Sequence, residues 1–141
     1  MTLRSLLLRA TKEGWAVPHF NVSDFEQLRG VCEAAGKLRA PLMIGTSEGE
    51  RDFIGLSYAV ALTHALRKEF NIPLFLNADH THTIKSAKQA IDAGYDSIHI
   101  DLSRESWNKN VQGTREVVRY ANRKNRAINV EGELGYIVTE S

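Results

Sequence analysis

Short apolar runs recur along this chain at intervals of roughly 25 to 30 residues, separated by stretches whose apolar residues repeat at helical spacing. The runs fall at 15–22, 41–44, 73–76, 97–100 and 127–130. Strands that are apolar throughout, without alternating with polar residues, must be covered on both faces. The pattern therefore predicts parallel strands layered with helices. Helices are expected over 2–13, 24–39 and 56–69, then from about 84 to a stop at Gly94, and around 111–121. Gly14 is a natural terminator of the first, and Ser23 with Glu26 reads as a capping box for the second.

Two architectures share this rhythm, an open doubly wound sheet and a closed (β/α)8 barrel. The first loop carries neither GxGxxG nor a P-loop sequence. All five runs lead into polar or small residues: Asn21, Ser47, Asp79-His80, Asp101 and Glu131 with Glu133. A ring of such groups at the carboxyl ends of strands is what the active face of a barrel requires. Five strands do not close an eight-stranded barrel, which typically takes about 250 residues. The 141 residues are thus expected to be either the first half or so of a longer molecule or a complete five-stranded open sheet.

Composition narrows the function. With 18 basic and 17 acidic residues the formal net charge is +1, which offers no broad field for a nucleic-acid backbone or an anionic membrane. The Trp and Tyr residues are scattered, which argues against a stacking surface for nucleic acid. The single Cys32 excludes an internal disulfide and reads as a buried thiol. No apolar run reaches the roughly 18 residues of a membrane span, and the opening segment lacks a signal-peptide pattern. A cytoplasmic enzyme or binding protein is the expectation.

Asp79-His80 is the sharpest chemical feature, because an apolar strand delivers an aspartate and a histidine together to a sheet edge. Imidazole suits Zn²⁺, and the adjacent carboxylate can exchange a proton with a bound hydroxyl; the alternative is a loop in which Asp79 merely caps the next helix. His82 reads as a second ligand, a supporting residue or neither. Asp101 could orient a histidine, support a ligand or bind a substrate hydroxyl, or cap the helix that follows. Glu131 and Glu133 share a side if their strand continues, and two like charges there require a metal, an arginine, a proton or water. His19 and His99 read as satisfied interior or helix-facing residues, and His64 as structural. Ser47 is read in a flexible polar loop able to bind phosphate or hydroxyls, without the GxSxG of a nucleophile elbow.

Five segments together resemble the class II, metal-dependent fructose- or tagatose-bisphosphate aldolases: AVPHFNV at 16–22, the turn around Ser47, LNADHTH at 76–82, AIDAGYDSIHIDLS at 90–103 and INVEGELG at 128–135. The resemblance spans essentially the whole chain. It implies a (β/α)8 TIM barrel, with residues 1–141 as the amino-terminal portion of one catalytic domain and roughly its first five strands. By that resemblance Asp79 handles the proton on the substrate hydroxyl, and His80 binds the catalytic metal, Zn²⁺ or another divalent cation. Asp101 and Glu133 lie at metal positions, and Asn21 and Ser47 near the substrate. The implied partner is a small sugar phosphate, with no nucleic acid and no membrane, and the full-length protein is expected to be a homo-oligomer.

The chain also departs from the family pattern. Thr81 follows the Asp-His pair where glycine is frequent, and Lys85 stands where an acidic residue is usual. The text after Gly135 lacks the glycine-rich acidic loop that serves the carbon centre, leaving Glu140 as its acidic stand-in. Two further metal-binding histidines and the main phosphate loops of the family lie outside these segments. The alternatives carried forward are another sugar-phosphate lyase of the same fold and an inactive metal-binding or structural α/β domain.

Overall fold

The computed structural model describes residues 1–135. Its elements follow in the order α1 (Leu3–Glu13), β1 (His19–Asn21), α2 (Phe25–Leu38), β2 (Leu42–Thr46), α3 (Glu48–Ile54), α4 (Leu56–Phe70), β3 (Leu74–Thr81), α5 (Ile84–Ala93), β4 (Ser97–Ile100), α6 (Trp107–Lys124) and β5 (Asn129–Gly132). The five strands form one wholly parallel sheet in the order β1-β2-β3-β4-β5.

That order decides between the two architectures. A doubly wound sheet reverses its direction of growth and so has helices on both faces. Here each strand is added beside its predecessor, and crossovers of a single hand then lay their helices along one face. The apolar cluster on that face joins Ile44, Leu74, Leu76, Ile98 and Ile100 of the strands to Leu28, Leu66, Ala87 and Val117 of the helices. The other face has a different apolar floor at its amino end, where Leu3 and Leu6 of α1 pack with Phe75, Met43 and Val17. The arrangement is a sector of a (β/α)8 barrel, with α1 across the bottom of its interior.

Local chemistry sets the helix ends. Thr2 and Ser5 form a reciprocal capping box for α1, and Gly14 closes it in the left-handed conformation at φ 74°. For α2 the expected Ser23–Glu26 box is displaced by one residue. Asp24 is the N-cap and accepts from the Gln27 amide, while Ser23 donates its amide to Gln27 and its hydroxyl to Glu50. Asp24 wins because a carboxylate is at least as good a cap as a hydroxyl, which leaves Ser23 free to tie β1 to α3.

Two larger departures concern the site. The segment after β2, expected as a flexible polar loop, forms α3, with Ser47 and Glu50 as its reciprocal cap. β3 does not stop at the apolar run; it continues through Asn77, Ala78, Asp79 and His80 to Thr81. Among the described residues, no helix is long and apolar enough to cross a membrane.

Candidate active site

Strand alternation sorts the side chains. On β3, Leu74, Leu76 and Ala78 belong to the helix-side core, so Phe75, Asn77 and Asp79 face the barrel interior. On β4, Ile98 and Ile100 are helix-side, and Ser97 and His99 are interior. Because β3 and β4 are in register at Asn77↔Ser97 and β4 and β5 at His99↔Glu131, the interior positions at the carboxyl end form one polar patch.

His80 joins that patch by breaking the alternation. Ala78 pairs with Ile98 and Thr81 with Ile100, so three steps on β3 oppose two on β4, and one residue is extra. His80 has φ 40°, a left-handed conformation that residues with a Cβ seldom adopt. Without the bulge its side chain would alternate onto the helix face. With it, His80 Nδ1 lies 2.9 Å from Asp101 Oδ2 and 3.6 Å from Glu133 Oε2, and its ring is 4.6 Å from that of His99.

Asp79 is held on both carboxylate oxygens. Asn21 Nδ2 donates to Oδ2 at 2.9 Å, and His99 Nδ1 lies 3.3 Å from Oδ1. Burial opposes its ionisation, but the hydrogen bonds from His99 and Asn21, aided by His80 and His19, bring its pKa down from 3.8 to about 2. The Asp79 hydrogen bond is also the main reason the His99 imidazole is raised above its ordinary value, against the opposing effect of burial. For Asp101 burial again opposes the charge, but the Ser103 hydroxyl at 2.6 Å, the His80 ring and the Ser103 amide at 3.0 Å hold it well below the usual carboxylate range.

Glu133 follows β5 and is steadied from α6, where the buried Asn110 donates to its carbonyl at 2.8 Å. Its Oε2 is 2.9 Å from His99 Nε2 but outside hydrogen-bond alignment, so this buried oxygen has no donor. An orphaned buried carboxylate oxygen beside two imidazoles is costly without a cation. Two donor sets share His80: Asp79, His80 and His99 on one side, and His80, Asp101 and Glu133 on the other, the ligand atoms of each within 4.8 Å of one another. A mixed imidazole and carboxylate set of this kind suits Zn²⁺ and related divalent ions.

The residues singled out in the sequence have divided outcomes. Asp79, His80, Asp101, Glu133 and Asn21 meet at the strand ends. Ser47 sits at the end of β2, but its hydroxyl accepts from the Glu50 amide at 3.4 Å and so serves as a helix cap. His82 is exposed at the rim, its Nδ1 3.9 Å from Asp101 Oδ2, and is in neither donor set. Glu140 lies outside the described residues.

His99 is buried and hydrogen-bonded, as expected of an interior residue, but it also belongs to a donor set with Asp79 and His80, which the sequence reading did not assign to it. It sits between Asp79 and Glu133, and the signal that could have found it is its spacing of two from Asp101, which directly follows β4, the same spacing that linked Glu131 to Glu133. His19, by contrast, is exposed; it lies over Gly45, where its Nε2 and Asn21 Oδ1 fill the space of a Cβ. Cys32 is fully buried as expected, and burial pushes its thiol up to about 11.

The family model for fructose-bisphosphate aldolase, class II, matches residues 1–141. The fructose-bisphosphate aldolase of Giardia intestinalis is 38% identical over 135 residues, which are 95% of this chain and 41% of that protein. That of Helicobacter pylori is 37% identical over 134 residues, 94% and 43% of the respective chains. Among solved structures, the YdjI aldolase from Escherichia coli K12 superposes with a TM-score of 0.86 at 26% identity, covering 96% of this chain and 52% of that one. The fructose-bisphosphate aldolase from Campylobacter jejuni gives 0.81 at 25% identity, covering 94% and 46%. The chain spans about half the length of the relatives it matches.

Proposed function

The chain belongs to the class II fructose-bisphosphate aldolase family, and from that premise we propose that the protein performs reversible, metal-dependent aldol cleavage of a ketose bisphosphate such as fructose 1,6-bisphosphate. The products are dihydroxyacetone phosphate and an aldehyde phosphate. Residues 1–141 contribute five strands to a single (β/α)8 catalytic domain. The observation that carries the reading is the adjacency of Asp79, held as an anion by Asn21 and His99, to His80, the one residue common to both donor sets.

In cleavage, Asp79 takes the proton from the hydroxyl on the carbon that becomes the aldehyde, and in condensation it returns it. Both its oxygens already accept a hydrogen bond, but an ionised carboxylate offers about four lone-pair directions, so a substrate hydroxyl can join without expelling Asn21 or His99. Asn21 thereby fixes the direction of Asp79 and reaches the substrate rim. His80, Asp101 and Glu133 would hold the divalent cation, Zn²⁺ or a substitute. When bound, it supplies Lewis-acid polarisation of the ketone and stabilises the electron pair released by carbon–carbon cleavage. Ser47, whose hydroxyl oxygen caps α3, keeps its own O–H to donate to substrate at the end of β2, and Glu140 is assigned proton transfer at the carbon centre on family grounds. A cytoplasmic location and a homo-oligomeric assembly belong to the same proposal, on family grounds alone.

The test is chelation of the full-length protein. Cleavage of fructose 1,6-bisphosphate is lost in chelator and returns with Zn²⁺ or Co²⁺. Full activity in thorough chelator, with substrate trapped on the protein by borohydride, would overturn the proposal in favour of a lysine-based reaction. Parallel assays with tagatose bisphosphate resolve the substrate.

A further inference from the structure

We infer that Arg51 is a positioning residue for His80: a buried guanidinium that clamps the β3 bulge and thereby holds the imidazole over the metal site. The inference rests on the reading of His80 as a metal ligand.

Arg51 lies on α3 and is 5% exposed, an uncommon state for an arginine. Its nearest carboxylate, Glu48, is 3.9 Å away. Its close contacts are with the ends of two strands. Nη1 donates to the Thr46 carbonyl at the end of β2 and to the Asp79 carbonyl at 3.0 Å, and Nη2 donates to Thr81 Oγ1 at 3.1 Å. The last two groups flank His80. The Asp79 carbonyl belongs to the peptide bond that enters His80, and Thr81 is the residue that leaves it.

The clamp continues beyond the guanidinium. Thr81 Oγ1 donates to the Ala78 carbonyl at 3.1 Å, closing the bulge from inside, and the Thr81 carbonyl accepts from the Asp101 amide at 2.9 Å. Thr81 is fully buried on the helix side, in the place that strict alternation would assign to residue 80. The left-handed backbone of His80 is therefore fixed on both sides by one planar, five-donor group, whose fork matches two carbonyls and a hydroxyl at once. Lysine has one nitrogen and cannot reach all three acceptors in the same geometry. Removing the fork leaves the bulge free to relax toward regular β structure, and that relaxation carries His80 away from Asp101 and Glu133.

The experiment titrates the metal-free full-length protein with Co²⁺ alone and records its visible d–d absorption, for wild type and for Arg51→Met, Arg51→Lys, Thr81→Val, His80→Ala and Leu66→Ala. Arg51→Met is expected to weaken Co²⁺ binding at least tenfold and shift the d–d band, and Arg51→Lys to recover part of the affinity. Leu66→Ala, in the helix-side core, lowers the melting temperature while leaving affinity and band unchanged, which separates positioning from general destabilisation. If His80→Ala binds Co²⁺ as wild type does, the ligand reading of His80 fails and the inference with it. If His80→Ala loses the band but Arg51→Met keeps wild-type affinity and spectrum, the positioning role alone is wrong. Should Arg51→Met fail to fold, Thr81→Val decides: a several-fold loss of affinity supports the clamp, and wild-type binding overturns it.

Discussion

Along β3, Leu74, Leu76 and Ala78 turn toward the helices, while Phe75, Asn77 and Asp79 turn toward the interior, and different physics holds the two sets. The helix-side row is close to fully buried and needs only apolar neighbours, Leu74 and Leu76 each contributing about 1.5 to 3 kcal/mol. The interior row begins in the same way at Phe75 but becomes polar toward the carboxyl end. There Asn77, Ser97 and Glu133 each have a buried oxygen without a hydrogen-bond donor. The helix side has one such atom, the hydroxyl of Thr63 on α4; the interior side gathers three and adds a left-handed histidine, features that proteins tolerate chiefly where chemistry is done. Stability and function are thus divided between alternate residues of the same strands.

The largest test of that division is Asp79→Ala in the full-length protein. Cleavage turnover is expected to fall by about 10²- to 10⁴-fold, the usual range for loss of a positioned general base, while Co²⁺ binding persists. Normal turnover would remove Asp79 from the chemistry. The converse test is Ile98→Ala on the helix-side face, where the side chain is fully buried. It should cost about 2 to 5 kcal/mol by urea unfolding and leave the Co²⁺ spectrum of the folded protein unchanged. A spectral change would mean that the two faces are not independent.

A smaller effect concerns acid. The Asp79 pKa of about 2 in the folded chain, against an ordinary 3.8, contributes stability that is fully present above pH 4. It is lost as the pH falls toward 2, and it amounts to about 2 kcal/mol. Urea midpoints of metal-free wild type and Asp79→Asn at pH 6 and pH 2.5 check this. Part of the acid loss should be absent from the variant, and equal losses in both would show that Asn21 and His99 do not hold the charge.

Much of the scaffold was legible locally. The ends of α1, α2, α4 and α5 fall within one residue of those expected, and β4 coincides with its apolar run. The two misses have different causes. α3 has only seven residues, and the stripe expected of a longer helix has no room to show. Polar residues in β3 read as a loop because strand propensity disfavours aspartate and asparagine, whereas the pairing of β3 with both neighbours overrides that preference.

The sequence by itself determined the strand–helix rhythm, the caps, the Asp-His pair at a strand end and, through its motifs, the family. These are local patterns, readable within a few turns of helix or one strand. Only the tertiary structure decided that the strands run in sequential order, that His99 stands between Asp79 and Glu133, and that Arg51 reaches across from α3 to the residues on either side of His80. Those facts depend on register between distant segments and on one inserted residue that reverses the facing of a side chain, and neither leaves a period in the sequence.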